Sequence, residues 1–181
     1  RWIEDIKRVQ LINYVGYHNE LKTYVLGALA YQNGKQFKMN NEDYFELPKN
    51  INLKSRAPFT LDINANQAEY QNAWTKDLIE AYGIKGLIAL TTFFGSLYAQ
   101  QIRKTHKSFP FVEIVGEPGT GKSTLLQFLW KLFGRINYEG VDPTKTSKAG
   151  LTRTFRQVSN LPVILIESDR QGESASKQFN W

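Results

Sequence analysis

Cysteine is absent from this 181-residue chain, which excludes disulfides and thiolate zinc sites and fits a cytoplasmic protein. Histidine is scarce. Of the two, His106 lies in the basic tail Arg103-Lys104-Thr105-His106-Lys107 with nothing beside it to make it a ligand or base, and it reads as a solvated surface residue. Long hydrophobic runs are missing too. The most apolar stretch, Gly86 to Ala99, is too short and too rich in Gly and Thr to span a bilayer, so no membrane partner is expected. No signal peptide, internal repeat or low-complexity tract is legible. Acids are in mild deficit, 17 against 23 basic residues, giving a net charge of +6 and a pI near 9.4. That is a moderate bias toward a polyanionic partner. What is present is enough chain to bury a real core, as one medium domain or two small ones. It begins at Arg1 rather than Met and stops at Phe179-Asn180-Trp181 without a terminating signal, which reads as a piece of a larger protein.

The stretch FPFVEIVGEPGTGKSTLLQFLWKLF, Phe109 to Phe133, organises the rest. Phe111 to Val115 is a short apolar run expected to form a buried strand. Gly116-Glu117-Pro118-Gly119-Thr120-Gly121-Lys122-Ser123 fits G-x-x-x-x-G-K-[ST] at every fixed position, and Thr124 to Phe133 reads as an amphipathic helix. The spacing has a chemical reason. Gly116, Gly119 and Gly121 let the backbone take positive φ and approach a ligand with no Cβ in the way. Their N–H groups then point inward as an anion nest, with the positive end of the helix aimed at the same spot. Lys122 is expected to reach the β- and γ-phosphates of ATP. Ser123 is expected to place its hydroxyl on Mg²⁺, and Pro118 stiffens the crown. The expected nucleotide contacts run from Gly116 through Glu117, Pro118, Gly119, Thr120, Gly121, Lys122 and Ser123 to Thr124.

Upstream, residues 1–62 read as a β-rich module. Val9 to Tyr17 alternates loosely, Leu21 to Tyr31 is a run of β-formers, and Asn33-Gly34 is a hairpin signal before Gln36 to Met39. Tyr44 to Leu47 adds a short strand ended by Pro48. Aromatics recur here (Trp2, Tyr14, Tyr17, Tyr24, Tyr31, Phe37, Tyr44, Phe45) among Lys22, Lys35 and Lys38. Two readings stand: a stacking surface for single-stranded nucleic acid, or cross-strand core pairs of a small sheet. Pro58 and Asn64-Ala65-Asn66 mark a boundary. Residues 66–105 read as helical and as packing on the segment that carries the glycine loop. Ala68 to Tyr82 is one helix with a stripe at Ala73, Trp74, Leu78, Ile79 and Tyr82, capped by Gly83. Ile84 to Lys104 is a second, apolar nearly all round and therefore expected to be buried.

Residues 108–181 are expected to be an ATPase core cut short at its C-terminal end. Arg135 to Pro143 is a loop or short strand, and Ser147 to Gln157 a modest helix. Val163 to Ile166 then runs into Glu167, 45 residues after Lys122. A buried strand ending in an acid is what P-loop ATPases use to hold the magnesium water shell, and a second acid just after it often activates water. Glu167 is expected on the metal side and Asp169 as the catalytic base. The residues here are Glu167-Ser168-Asp169 rather than an adjacent acidic pair.

GEPGTGKSTLLQFLWKLFG, then Tyr138-Glu139-Gly140-Val141-Asp142-Pro143 and NLPVILIESDR, resembles the ATPase part of primase-helicases from bacterial mobile elements and prophages. These are often fused to a toprim primase and are related to the AAA+ and third-superfamily helicases. The resemblance spans about residues 108–170. It implies an α/β fold with a mostly parallel sheet and flanking helices. It also implies a homo-oligomer in the form of a hexameric ring, ATP hydrolysis at subunit interfaces, and translocation on single-stranded or forked DNA. A sensor residue and an arginine finger are implied beyond Trp181. Lys145, Lys148, Arg153 and Arg156 form a basic face between the two motifs, read either as a contact to DNA phosphates or a neighbour's nucleotide, or as an ordinary solvated face.

Three functions are compatible with these residues. The first is a Mg²⁺-dependent ATPase driving DNA unwinding or translocation in replication of a mobile element or phage. The second is a nucleotide-switched binding or assembly module, with recognition of nucleic acid or a partner protein carried by the β-rich part. A small-molecule kinase comes third, since no acceptor site is legible.

Overall fold

The computed structural model describes residues 6–166. Its N-terminal third is built from short strands because β-forming runs of three to five residues alternate with turn residues that take positive φ. β1 (Val9–Ile12), β2 (Val15–His18), β3 (Thr23–Leu26), β4 (Leu29–Gln32), β5 (Lys35–Lys38), β6 (Phe45–Leu47) and β7 (Ile51–Ser55) come in that order. The Asn33-Gly34 turn, at φ 50° and 74°, joins β4 to β5 as the hairpin signal requires. The run Leu21 to Tyr31 is not one strand. Gly27, at φ 71°, turns it back so that β3 and β4 pair antiparallel. β7 was not expected. Its alternation of Ile51 and Leu53 with Asn52 and Lys54 is short, and its parallel partner β1 lies some forty residues earlier.

Two sheets result. One has the order β1-β7-β6 and the other β5-β4-β3-β2-β8, where β8 (Val158–Ser159) comes from the far end of the chain and lies parallel to β2. Between the sheets Ile12, Val25, Ala30, Phe45, Leu47 and Leu53 form a core, with Tyr14 and Phe37 packed on it. Tyr17 stacks on Tyr24, whose hydroxyl donates to the Leu97 carbonyl. The aromatics named from the sequence are thus largely consumed as core pairs rather than laid out as a stacking platform; Trp2 lies outside the described residues.

The helical segment differs from expectation at both ends. Gln67–Glu69 is a single 3₁₀ turn, and α1 runs Trp74–Ser96 with a break at Gly83 (φ 58°, ψ −146°), a backbone that only glycine adopts readily. Gly83 therefore ends one helical segment, as expected, and a second begins at Ile84, the two meeting at a kink. α1 stops at Leu97, and α2 (Ala99–His106) is separate. Counted across the kink, Trp74–Ser96 is long and apolar enough by length and composition to cross a bilayer, but Gly83 divides it into two shorter segments. It is also not buried all round. Leu78, Gly86, Ala89 and Phe93 face the core, while Ile84 and Ile88 are exposed.

α3 (Lys122–Leu132) buries Leu125, Leu129 and Trp130 at helical spacing. These meet Leu78, Ala89 and Phe93 of α1, Val15 of β2, and Leu61, Phe133, Leu161 and Ile164. Phe93, Trp130 and Phe133 pack edge to face around this centre. Between the expected boundary residues Pro58 and Asn64-Ala65-Asn66, which are exposed, the chain is anchored to this core. Leu61 is 2% exposed, and the Asp62 N–H donates to the Gly134 carbonyl at 2.8 Å. α4 (Lys148–Arg156) is N-capped by Ser147, whose hydroxyl accepts from the Gly150 N–H.

Two expected strands come out differently. Phe111 to Val115 is neither strand nor buried. Phe111 is 95% and Val115 81% exposed, since no strand among the described residues lies alongside to form a ladder. Val163 to Ile166 is represented by one parallel bridge, Val141 to Leu165, in which the Val141 N–H donates to Ile164 and the Ile166 N–H to Val141, each at 2.9 Å. The described residues thus form a mixed α/β fold with a β-rich N-terminal region.

Candidate functional site

The glycine loop sits between the extended Phe111–Val115 segment and the first turn of α3. Gly119 and Gly121 take positive φ (80° and 82°), whereas Gly116 does not and serves by its size, since a Cβ there would press on the Thr120 hydroxyl. Gly121 occupies the N-cap of α3, and no side chain caps that end. The first N–H groups of a helix lack intrahelical partners, so an uncapped N-terminus beside an open loop offers donors and a positive dipole end to an anion.

Inside the loop the carbonyls of Gly116 and Glu117 converge on one cation. Lys122 Nζ donates to them at 2.5 and 2.7 Å, and the Thr120 hydroxyl donates to the same Glu117 carbonyl at 2.8 Å. The lysine is thereby bent over the loop whose donors would hold a polyphosphate. A charged oxyanion is a stronger partner for an ammonium than two neutral carbonyls, with charge-assisted bonds roughly twice as strong. The residues present therefore fit the triphosphate of ATP. Ser123 and Thr124 are on the first turn of α3, both exposed.

Tyr82 completes the site, and hydrophobic periodicity had assigned it only to an apolar stripe. Its hydroxyl donates to the Gly121 carbonyl at 3.1 Å, fixing the end of the loop to α1 one residue before the Gly83 break. A Tyr-Gly pair at the end of an amphipathic run was the available signal. Trp74, from the same half of α1, stacks on Phe128 of α3 at 5.7 Å.

The structure thus brings Gly116 through Thr124 together. Glu167 and Asp169 lie outside the described residues. Among the described residues no group of three or more His, Cys, Asp or Glu could hold a metal ion, leaving the Ser123 hydroxyl as the expected metal contact on this side. The basic face is solvent-exposed at Lys145, Lys148, Arg153 and Arg156, with Lys145 paired to Asp142 at 3.6 Å.

A glycine loop closing on a lysine at a helix N-terminus defines a P-loop nucleotide-binding segment. The model of one family, the MCM P-loop domain, matches residues 64–168, more than half of the chain. The chain belongs to that family, a family of AAA+ P-loop ATPases. No curated protein and no solved structure matches it. The match begins within the expected boundary and leaves the N-terminal sheets outside it.

Proposed function

We propose that the chain is the nucleotide-binding part of a Mg²⁺-dependent ATPase that drives DNA unwinding or translocation, acting as a hexameric homo-oligomer in the cytoplasm in replication of a mobile element or phage. The observation that supports this is the Lys122 ammonium held over the loop beside the uncapped start of α3. Lys122 binds phosphate oxygens, the α3 N–H groups orient them, and Tyr82 fixes the end of the loop. Magnesium, when bound, neutralises phosphate charge, with Ser123 and Glu167 as its protein ligands and Asp169 orienting water. The exposed basic face of α4 offers Lys148 and Arg153 to DNA phosphates. In the full-length protein, single-stranded DNA is expected to raise ATP turnover, and Lys122→Ala to abolish it. Normal turnover in that variant disposes of the assignment. Charge reversal at Lys148 and Arg153 is expected to weaken DNA binding and flatten its salt dependence.

One observation favours the second reading, a nucleotide-switched assembly module. The segment leading to Glu167 is hydrogen-bonded into the N-terminal sheet through β8 and the Ser159 hydroxyl, and to α2 through Asn160, which offers a mechanical route from nucleotide to partner surface. Nucleotide-dependent oligomerisation without turnover decides for it.

A further inference from the structure

Arg135 lies just past the C-terminal end of α3, about 16 Å of helix away from the P-loop. Its guanidinium carbon lies 3.3 Å from the Tyr138 ring centre, 3.9 Å from Phe59 and 5.1 Å from Trp130. It is half-buried and, among the described residues, has no carboxylate partner. Burying a cation without an anion is costly, and the covering rings offset only part of that cost. Rings over its flat faces leave the in-plane N–H groups, where all its donors lie.

Arg135 also lines a cavity of about 90 Å³, walled by Phe59, Tyr138, Gln157, Pro162 and Val163 among others. Arg135 brings only donors to this wall. The Gln157 amide makes no side-chain hydrogen bond among the described residues. Thr154, also on the wall, has its hydroxyl donating to the Gly150 carbonyl and offers lone pairs instead. That volume leaves room for a tetrahedral oxyanion of five heavy atoms.

We infer that this cavity is a second anion site, taking a phosphate group in plane with the Arg135 guanidinium and within reach of the Gln157 amide. It is independent of the P-loop, and its wall includes Phe59, which lies upstream of the family match. The phosphate has two possible sources, free orthophosphate or the backbone of a nucleic acid, and the test separates them.

The whole chain carrying Lys122→Ala, which removes the lysine contact of the P-loop, is titrated by calorimetry with sodium phosphate and separately with an oligothymidylate, at fixed ionic strength. One saturable phosphate site is expected to survive. Adding Arg135→Gln should weaken it by about tenfold or more, the loss of a charged hydrogen bond, and adding Gln157→Leu by about threefold. Binding of the oligothymidylate alone, with the same dependence on Arg135 and Gln157, assigns the phosphate to a nucleic-acid backbone. If Arg135→Gln does not fold, Arg135→Lys and Gln157→Leu replace it, with Arg135→Lys expected to weaken binding by losing the planar fork. Absence of any site in the Lys122→Ala chain, or equal affinity in the wall variants, overturns the inference.

Discussion

Gly121 meets three demands at once: φ of 82°, a carbonyl that accepts from Tyr82 and Leu125, and a surface on which a Cβ would stand 3.0 Å from the Tyr82 hydroxyl. The tyrosine is therefore the residue through which α1 senses the loop. Tyr82→Phe removes one neutral hydrogen bond, worth about 1 kcal/mol, and should lower the thermal midpoint by about 2–4 °C and, by loosening the loop, weaken nucleotide binding up to about fivefold. Unchanged affinity in a fluorescence titration would show that the ring only packs. Leu129, fully buried at the centre of the larger core, is the contrasting case, where Leu129→Ala should cost about 2–5 kcal/mol in a denaturant titration. The loop was legible because glycine, lysine and serine at fixed spacing have a local chemical reason. Tyr82 was not, because periodicity weighs a tyrosine by its ring, and its hydroxyl finds a partner only 39 residues away.

Elements meet at Asn160. Its amide donates to the Leu97 carbonyl at 2.7 Å and to Gln101 Oε1 at 3.0 Å, and its oxygen accepts from the Gln100 N–H at 3.1 Å. Next to it the Ser159 hydroxyl donates to the Tyr17 carbonyl at 2.7 Å, and Gly16, at φ 111°, lies so close to the Ser159 carbonyl that any side chain there would collide. These contacts join the N-terminal sheet, the α1–α2 corner and the strand-like segment leading to Glu167 into one unit. Asn160→Ala leaves buried groups without partners and should destabilise by about 2–3 kcal/mol in a urea titration, with the sheet and helix signals still lost together. Two separate transitions would show that the sheet folds on its own. Little of this junction was legible, because a parallel pair between β2 and β8 joins residues some 140 apart and leaves no local pattern. Hairpins, by contrast, declare themselves in two turn residues, as Asn33-Gly34 does. The apolar run Phe111–Val115 misled in the opposite direction, since composition names a strand-former but not the neighbour that must pair with it.

For the molecule as a whole, three tyrosines set the alkaline limit. Burial pushes the phenols of Tyr14, Tyr24 and Tyr138 above the ordinary value of 10.0, with Arg135 pulling Tyr138 partly back. In the unfolded chain they ionise near 10.0, while in the folded one they stay protonated to higher pH. Their contribution to stability is therefore complete below that pH and is lost as pH rises through the folded values. Urea midpoints should fall above about pH 10, less steeply in Tyr24→Phe; a midpoint independent of pH in that range would contradict the burial of these groups. A mixed α/β class and the nucleotide loop were readable at this scale from the upstream β-forming runs, the glycine motif and the helix after it, and the family match over residues 64–168 covers that motif and helix. The way Val15 of the five-stranded sheet shares a core with α1 and α3 was not, because the change of composition at Pro58 and Asn64 names no packing partner for Leu61 or Asp62. Nucleotide binding rests on Lys122 and the loop it spans, and calorimetric titration of the chain with a non-hydrolysable ATP analogue and magnesium tests it most directly. Saturable binding that is weakened by about tenfold or more in a folded Lys122→Ala variant is the expected result; equal affinity in the two proteins would contradict it.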